Sequence, residues 1–165
     1  MENILRAMPK TIGVAATVRT QETLYTYTGP EGNVKESKSP INLEAFISLN
    51  LLIEVDTESN AEETTFVNFA SLIGDDGESI TAAICLHRKW AIATDDTSAI
   101  KVFTTEAPQL EIISSLDLVK NWATAADCTH AELHKVLTNI RTRAAYIPPK
   151  KHPLYSWWQK YMKAE

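Results

Sequence analysis

Four short apolar runs, TIGVA (11–15), LLIEV (51–55), WAIAT (90–94) and LEII (110–113), are separated by stretches with helical periodicity. An apolar run of four or five residues is buried on both faces only when helices cover each side of a sheet. Strands that alternate with helices along one chain predict an α/β fold, with a parallel sheet flanked by helices. Helices are expected over Glu2–Met8, stopped by Pro9, and over Thr17–Tyr27, with Val18, Leu24 and Tyr25 as apolar contacts. Further helices are expected over Ile41–Asn50 and over Ser59–Ile73, where Phe66, Phe69, Ala70 and Ile73 stand three and four apart. Gly74-Asp75-Asp76-Gly77 breaks that pattern. The next helix runs over Glu78–Lys89, with Ile80, Ala83, Ile84 and His87 on one face, and another covers Ser98–Thr104.

Thr28–Pro40, rich in Gly, Pro, Ser and charge, reads as a loop. The last third is helical: Ser115–Ala125, Thr129–Ala144 and, after Ile147-Pro148-Pro149, the aromatic segment PLYSWWQKYM. The expected organisation is an α/β domain over 1–126 and a helical, basic and aromatic C-terminal extension over 127–165 packed on it.

With 165 residues, 44% of them hydrophobic and 22% charged, the chain has enough apolar surface for a core and is not of disordered or collagen-like composition. Its two cysteines, Cys85 and Cys128, are too few for a disulfide scaffold and read as reduced thiols, which suits a cytoplasmic protein. The start, MENILRAMPK, has no long apolar core of a secretory signal. The longest apolar run, Ala82–Leu86, is far too short to span a membrane, so no membrane association is expected.

Charge is unevenly placed. Leu133–Ala164 holds seven basic residues (Lys135, Arg141, Arg143, Lys150, Lys151, Lys160 and Lys163) and no Asp or Glu, leaving nine basic and 21 acidic residues elsewhere. An acidic body with a basic tail suits metal-binding carboxylates beside a polyanion-binding surface, and equally a solvated helical face. In the tail, Tyr155, Trp157, Trp158 and Tyr161 among lysines could stack on unpaired bases while the lysines meet phosphates. The same rings could instead pack on protein.

In open α/β sheets, sites form outside the carboxyl ends of strands, where Asp95 and Asp96 follow WAIAT. Asp75, Asp76 and Glu78 open the preceding helix, either as caps that complement its dipole or as ligands. Clustered carboxylates suit Mg²⁺ or Mn²⁺, hard cations that take oxygen donors. Cys128, His130 and His134 have metal-like spacing without a fourth ligand nearby, and no phosphate-binding glycine loop, nucleophile elbow or Rossmann fingerprint is present.

The run GESITAAICLHRKWAIATDDTSAIKVF, Gly77–Phe103, resembles the second half of the PIN domain, a family of metal-dependent ribonucleases. There an acid opens an Ala-rich helix, and a short strand ends in a Thr-x-Asp or Asp-Asp motif ahead of the next helix. IGVAATVRTQETLY and LEAFISLNLLIEVD are similar to the family's second strand and helix and to its third strand. The resemblance implies a PIN-like sheet, with Glu78 and Asp96 as metal ligands and Asp95 beside them. The second acid of the family falls on Gln21, with Glu22 next to it, so either Glu22 turns into the site or an amide replaces the acid. The family's first strand, which ends in an Asp, has no counterpart in this sequence.

What the resemblance implies is hydrolysis of single-stranded RNA with Mg²⁺ or Mn²⁺, as in toxins of toxin–antitoxin pairs. Catalysis would rest on Glu78, Asp96, Asp95 and Glu22, with Lys150 and Lys151 contacting RNA phosphates. It also implies a homodimer and an inhibitory antitoxin-like partner. The alternative is a catalytically inactive PIN-like interaction module, favoured by the missing first Asp and by Gln21.

Overall fold

The strands pair in three separate ladders, in a computed structural model that describes residues 2–8, 10–22, 24–28 and 37–163. The chain divides into two compact units, Met1–Glu22 with Leu43–Leu118, and Thr23–Asn42 with Val119–Glu165.

In the first unit, β1 (Gly13–Ala15) and β4 (Ile53–Val55) run parallel, with Gly13 opposite Ile53 and Ala15 opposite Val55. A second parallel pair joins β5 (Ile92–Ala93) to β6 (Ile112–Ile113). All four expected strands are therefore present and parallel, as two pairs rather than one continuous sheet among the described residues. Each strand is only two or three residues long, and no described strand pairs with the second edge of β1 or β5.

Around these lie α1 (Glu2–Arg6), α2 (Ala16–Gln21), α3 (Leu43–Ser48), α4 (Asn60–Ile73), α5 (Asp76–Arg88) and α6 (Thr97–Glu106). Helix α4 starts where the Ser59 hydroxyl accepts the Glu62 N–H, and it ends where Gly74 takes a left-handed φ of 75°. Glycine adopts that conformation without a Cβ clash, and the reversal turns α4 directly into α5. Small residues let α5 be buried on several sides: Gly77, Ser79, Ala82, Ala83 and Cys85 are buried along with Ile80 and Ile84. One cluster joins Ala82, Ala83 and Cys85 to Phe69, Ile92, Ala99, Phe103, Ala107 and Leu110, with the Phe69 and Phe103 rings edge to face at 5.2 Å. A second joins Ile80 and Ile84 to Ala15, Val18, Val55 and Phe66. Helix α5 is thus the common wall of both strand pairs. His87, expected on the apolar face, is exposed in the last turn, where its Nε2 lies 2.8 Å from the Thr65 hydroxyl.

A buried ion pair ties α4 to α5. Arg88 Nε donates to Glu62 Oε1 at 2.7 Å, and its Nη2 donates to the Asp56 carbonyl at 2.6 Å. The Glu58 N–H donates to the other Glu62 oxygen at 2.6 Å. These bonds hold the Glu62 carboxyl down at about 2, Arg88 being the largest cause.

In the second unit, Tyr25–Tyr27 is not helical. Helix α2 stops at Gln21, and β2 (Tyr25–Tyr27) pairs antiparallel with β3 (Lys38–Pro40), Tyr25 opposite Pro40 and Tyr27 opposite Lys38. Tyr-Thr-Tyr fits a pleated strand better than a helix, and the ladder meets backbone groups that a loop would leave to water. Residues 29–36 of the expected loop, and the Pro9 stop, lie outside the described residues. Helix α7 (Ser115–Ala125) begins in the first unit and continues in the second; α8 (His130–Arg143) and α9 (Tyr155–Met162) follow. Thr129 and Glu132 form a reciprocal capping box at the start of α8. Buried residues of this unit include Leu133, Leu137 and Trp158. The His130 and His134 rings stack, and His134 Nδ1 is 2.8 Å from the Tyr161 carbonyl, so this pair docks α8 on α9. No helix among the described residues is long and apolar enough to cross a membrane.

Candidate functional site

Glycine at 74 ends α4, and the next residue, Asp75, takes extended backbone and caps α5 by accepting the Glu78 N–H at 2.9 Å. That cap fixes Glu78 in the first turn, at the place from which an acid commonly reaches back to its own N-cap. Glu78 reaches across instead. Its Oε1 accepts the Thr94 hydroxyl at 2.9 Å, from the residue that follows β5. Thr94 is buried, and the same hydroxyl accepts the Asp96 N–H at 3.0 Å. Asp96 then caps α6 by accepting the Ala99 N–H at 2.7 Å. One threonine hydroxyl therefore couples the start of α5 to the start of α6 and sets the spacing of two acids distant in sequence.

The third acid arrives from the end of α2. A Cβ built on Gly77 would fall on the Glu22 carboxylate and close to a Val18 methyl. The Glu22 carboxylate thus occupies the space left by the missing side chain, against the first turn of α5. Gln21 is the exposed last residue of α2.

Electrostatics record the convergence. Burial raises the Glu78 carboxyl above the ordinary carboxylate range, the Thr94 bond opposes this, and the charges of Asp75, Asp96 and Glu22 raise it further. Glu22 is raised as well, by desolvation of its carboxylate and then by Asp75. Among the described residues none of Glu22, Asp75, Glu78 and Asp96 forms an ion pair with Lys, Arg or His. The four donors are hard oxygens with uncompensated charge, so their chemistry fits Mg²⁺ or Mn²⁺. In the arrangement seen, no three His, Cys, Asp or Glu side chains among the described residues are gathered closely enough to hold one ion.

Of the residues expected from sequence, Glu22 and Asp96 both bear on Glu78 through their charges. Asp95 is engaged elsewhere: its carboxylate accepts the Ser115 N–H at 3.3 Å, at the start of α7. Lys150 and Lys151 are exposed residues of the second unit, ahead of α9. Asp75, which the sequence offers as a cap or a ligand, caps α5, and its charge bears on both Glu22 and Glu78. Thr94 was visible only as part of the Thr-x-Asp pattern, and nothing in the sequence showed its bond to Glu78. In comparisons with known proteins, no protein-family model matches this chain, and neither a curated protein nor a solved structure matches it.

Proposed function

We propose that the first unit is a PIN-like, metal-dependent endoribonuclease domain that hydrolyses single-stranded RNA. The observation that carries this reading is geometric: the Glu22 carboxylate lies against Gly77 in the first turn of α5, and the Thr94 hydroxyl joins Glu78 to the Asp96 N–H, with no basic side chain among the described residues paired to these three acids. A fold that only needed helix caps would have no use for Glu22 against Gly77 or for Glu78 turned to Thr94. Bound among these acids, Mg²⁺ or Mn²⁺ would polarise a phosphoryl oxygen and supply a water of lowered pKa. The chain's own contribution is to hold the acids ready. Thr94 fixes one oxygen of Glu78, while the caps on α5 and α6 fix Asp75 and Asp96 through one oxygen each. Asp95 belongs to the proposal as a weaker candidate, since its carboxylate is turned to Ser115. Exposed Lys150 and Lys151 are proposed phosphate contacts. A cytoplasmic toxin acting as a homodimer, restrained by an antitoxin-like partner, is the setting that the PIN resemblance implies.

A second reading, an inactive PIN-like interaction module, is favoured by one observation: no three acids stand at metal-holding distances among the described residues. Cleavage of labelled single-stranded RNA in Mn²⁺ separates the two. The nuclease reading expects cleavage that is abolished by EDTA and by Glu78→Gln. A folded protein without cleavage supports the module, and cleavage unchanged in Glu78→Gln overturns this assignment of the site.

A further inference from the structure

A cavity of about 300 Å³ opens in the second unit, lined by Arg141, Ile147, Tyr155, Trp158, Gln159, Met162 and Lys163. Its construction follows from helical spacing. Tyr155, Trp158, Gln159 and Met162 stand at i, i+3, i+4 and i+7 on α9 and present one face. Arg141 comes from the last turn of α8, Ile147 from the segment between the helices, and Lys163 from the residue after α9.

The floor is rigid. Trp158 is 4% exposed, and the Tyr146 ring meets it edge to face at 6.4 Å. The Tyr155 hydroxyl accepts a Gln159 N–H at 3.2 Å, which orients both side chains and leaves the Gln159 carbonyl oxygen and one N–H for other partners. Ile147 is 63% exposed, a large apolar side chain left in water at the cavity.

Arg141 and Lys163 form no ion pair among the described residues. Cations at helix C-termini complement the helix dipoles, so their charge alone does not indicate a ligand. What does is that both line the same cavity as an exposed isoleucine and a tyrosine. No acid is among the residues that line the cavity. Leu133–Ala164 contains none, and Glu132, held in its capping box, lies about 14 Å from Arg141 along the axis of α8. A ligand that suits this lining joins an apolar ring with polar edges to an anion.

We infer that this cavity binds a nucleotide, its base against Tyr155 and Ile147 with an edge on the Gln159 carboxamide, and its phosphate between Arg141 and Lys163. The volume is at the small end of ligand pockets and suits one such unit. Aromatic contact supplies sequence-tolerant affinity, and the two cations make it salt-dependent. The inference goes beyond the hydrolase reading and does not rest on it, because it concerns a different unit and requires no cleavage.

The source of the nucleotide, free or within a strand, is the same chemistry, and the experiment separates them. Full-length protein is titrated in EDTA with adenosine monophosphate and, separately, with a fluorescein-labelled single-stranded RNA ten-mer, with vesicles of anionic phospholipid as comparison. Binding of either nucleotide ligand is expected, weakened about tenfold by Tyr155→Ala and about twofold or less by Tyr155→Phe, which keeps the ring. Arg141→Gln with Lys163→Gln is expected to weaken it further and to flatten its salt dependence by about two phosphate contacts. Competition by the mononucleotide indicates a free-nucleotide site, and binding of the ten-mer alone indicates a strand site. Absence of binding, binding untouched by these variants with circular dichroism unchanged, or binding to vesicles alone overturns the inference. Because EDTA suppresses metal-dependent cleavage and binding is the readout, failure here is distinct from failure of the nuclease reading.

Discussion

Replacing Glu62 by Gln tests whether the α4–α5 ion pair is a principal tie of the first unit. Glu62 is 3% exposed, and its carboxyl is held at about 2 by Arg88 and the Glu58 N–H. Relative to an ordinary glutamate at 4.5, that difference corresponds to about 3 kcal/mol of stability at neutral pH. Glutamine keeps the shape and one acceptor but removes the charge, leaving Arg88 with the Asp56 carbonyl and Glu58, 3.3 Å away and mostly exposed. Breaking a buried pair at one partner costs about 3–5 kcal/mol in other proteins, so about 3 kcal/mol is the expected loss here. Urea unfolding at pH 7 suits the measurement because urea is uncharged and leaves the pair unscreened. The urea midpoint should fall by about 1–3 M.

The pH dependence fixes the cause. A depressed carboxyl stabilises above its unfolded value and loses that contribution as pH falls toward its folded value. The gap between parent and variant should therefore be full above about pH 5 and shrink to less than half near about pH 3. A gap below about 1 kcal/mol at pH 7, or one that does not change with pH, would refute the reasoning.

Gly77→Ala should leave stability within about 1 kcal/mol, since alanine favours the helix and the flexible Glu22 carboxylate can swing aside; Mn²⁺ affinity, measured by titration, should nevertheless fall. Glu78→Gln should stabilise the fold at pH 7, because a carboxyl raised by burial and like charges disfavours folding once ionised. That gain should disappear as pH falls through the carboxylate range, which thermal melts at several pH values would show. Cys85, buried, donating to the Ala91 carbonyl and pushed up to about 11 by burial, should resist a thiol reagent at pH 8 in the folded protein and react fully in denaturant.

The four strands of the first unit and most helices are legible in the sequence because their signals are local. Gly74 and Asp75 mark the α4–α5 junction, Asp96 marks the start of α6, and Thr129 with Glu132 marks that of α8. Local periodicity favours helix at Tyr25–Tyr27 because the partner strand, Lys38–Pro40, lies ten or more residues away, outside the window such a pattern covers. The separation into two parallel pairs was equally illegible, since strand order depends on which edges meet. In the site, Glu78 and Asp96 stood out by position, whereas the choice between Gln21 and Glu22 turned on space: Gly77 lacks the Cβ that would displace the Glu22 carboxylate. The turning of Asp95 to Ser115 follows from where α7 begins, which the pattern at 94–96 does not encode. The α8–α9 cavity could be anticipated only as a basic, aromatic composition, because it forms from residues whose spacing along α9 matters together with the fold-back of the chain from α8.

The proposed function requires that Glu22, Glu78 and Asp96 take up a divalent cation. Titration of the protein with Mn²⁺, followed by the electron paramagnetic resonance of the free ion, measures that directly, alongside Glu78→Gln and Asp96→Asn. Asparagine still caps α6, so Asp96→Asn removes charge without removing the cap. The account predicts saturable binding by the parent, competed by Mg²⁺ and weakened about tenfold or more in both variants. Absence of saturable binding by the folded parent, or equal affinity in parent and both variants, would contradict it.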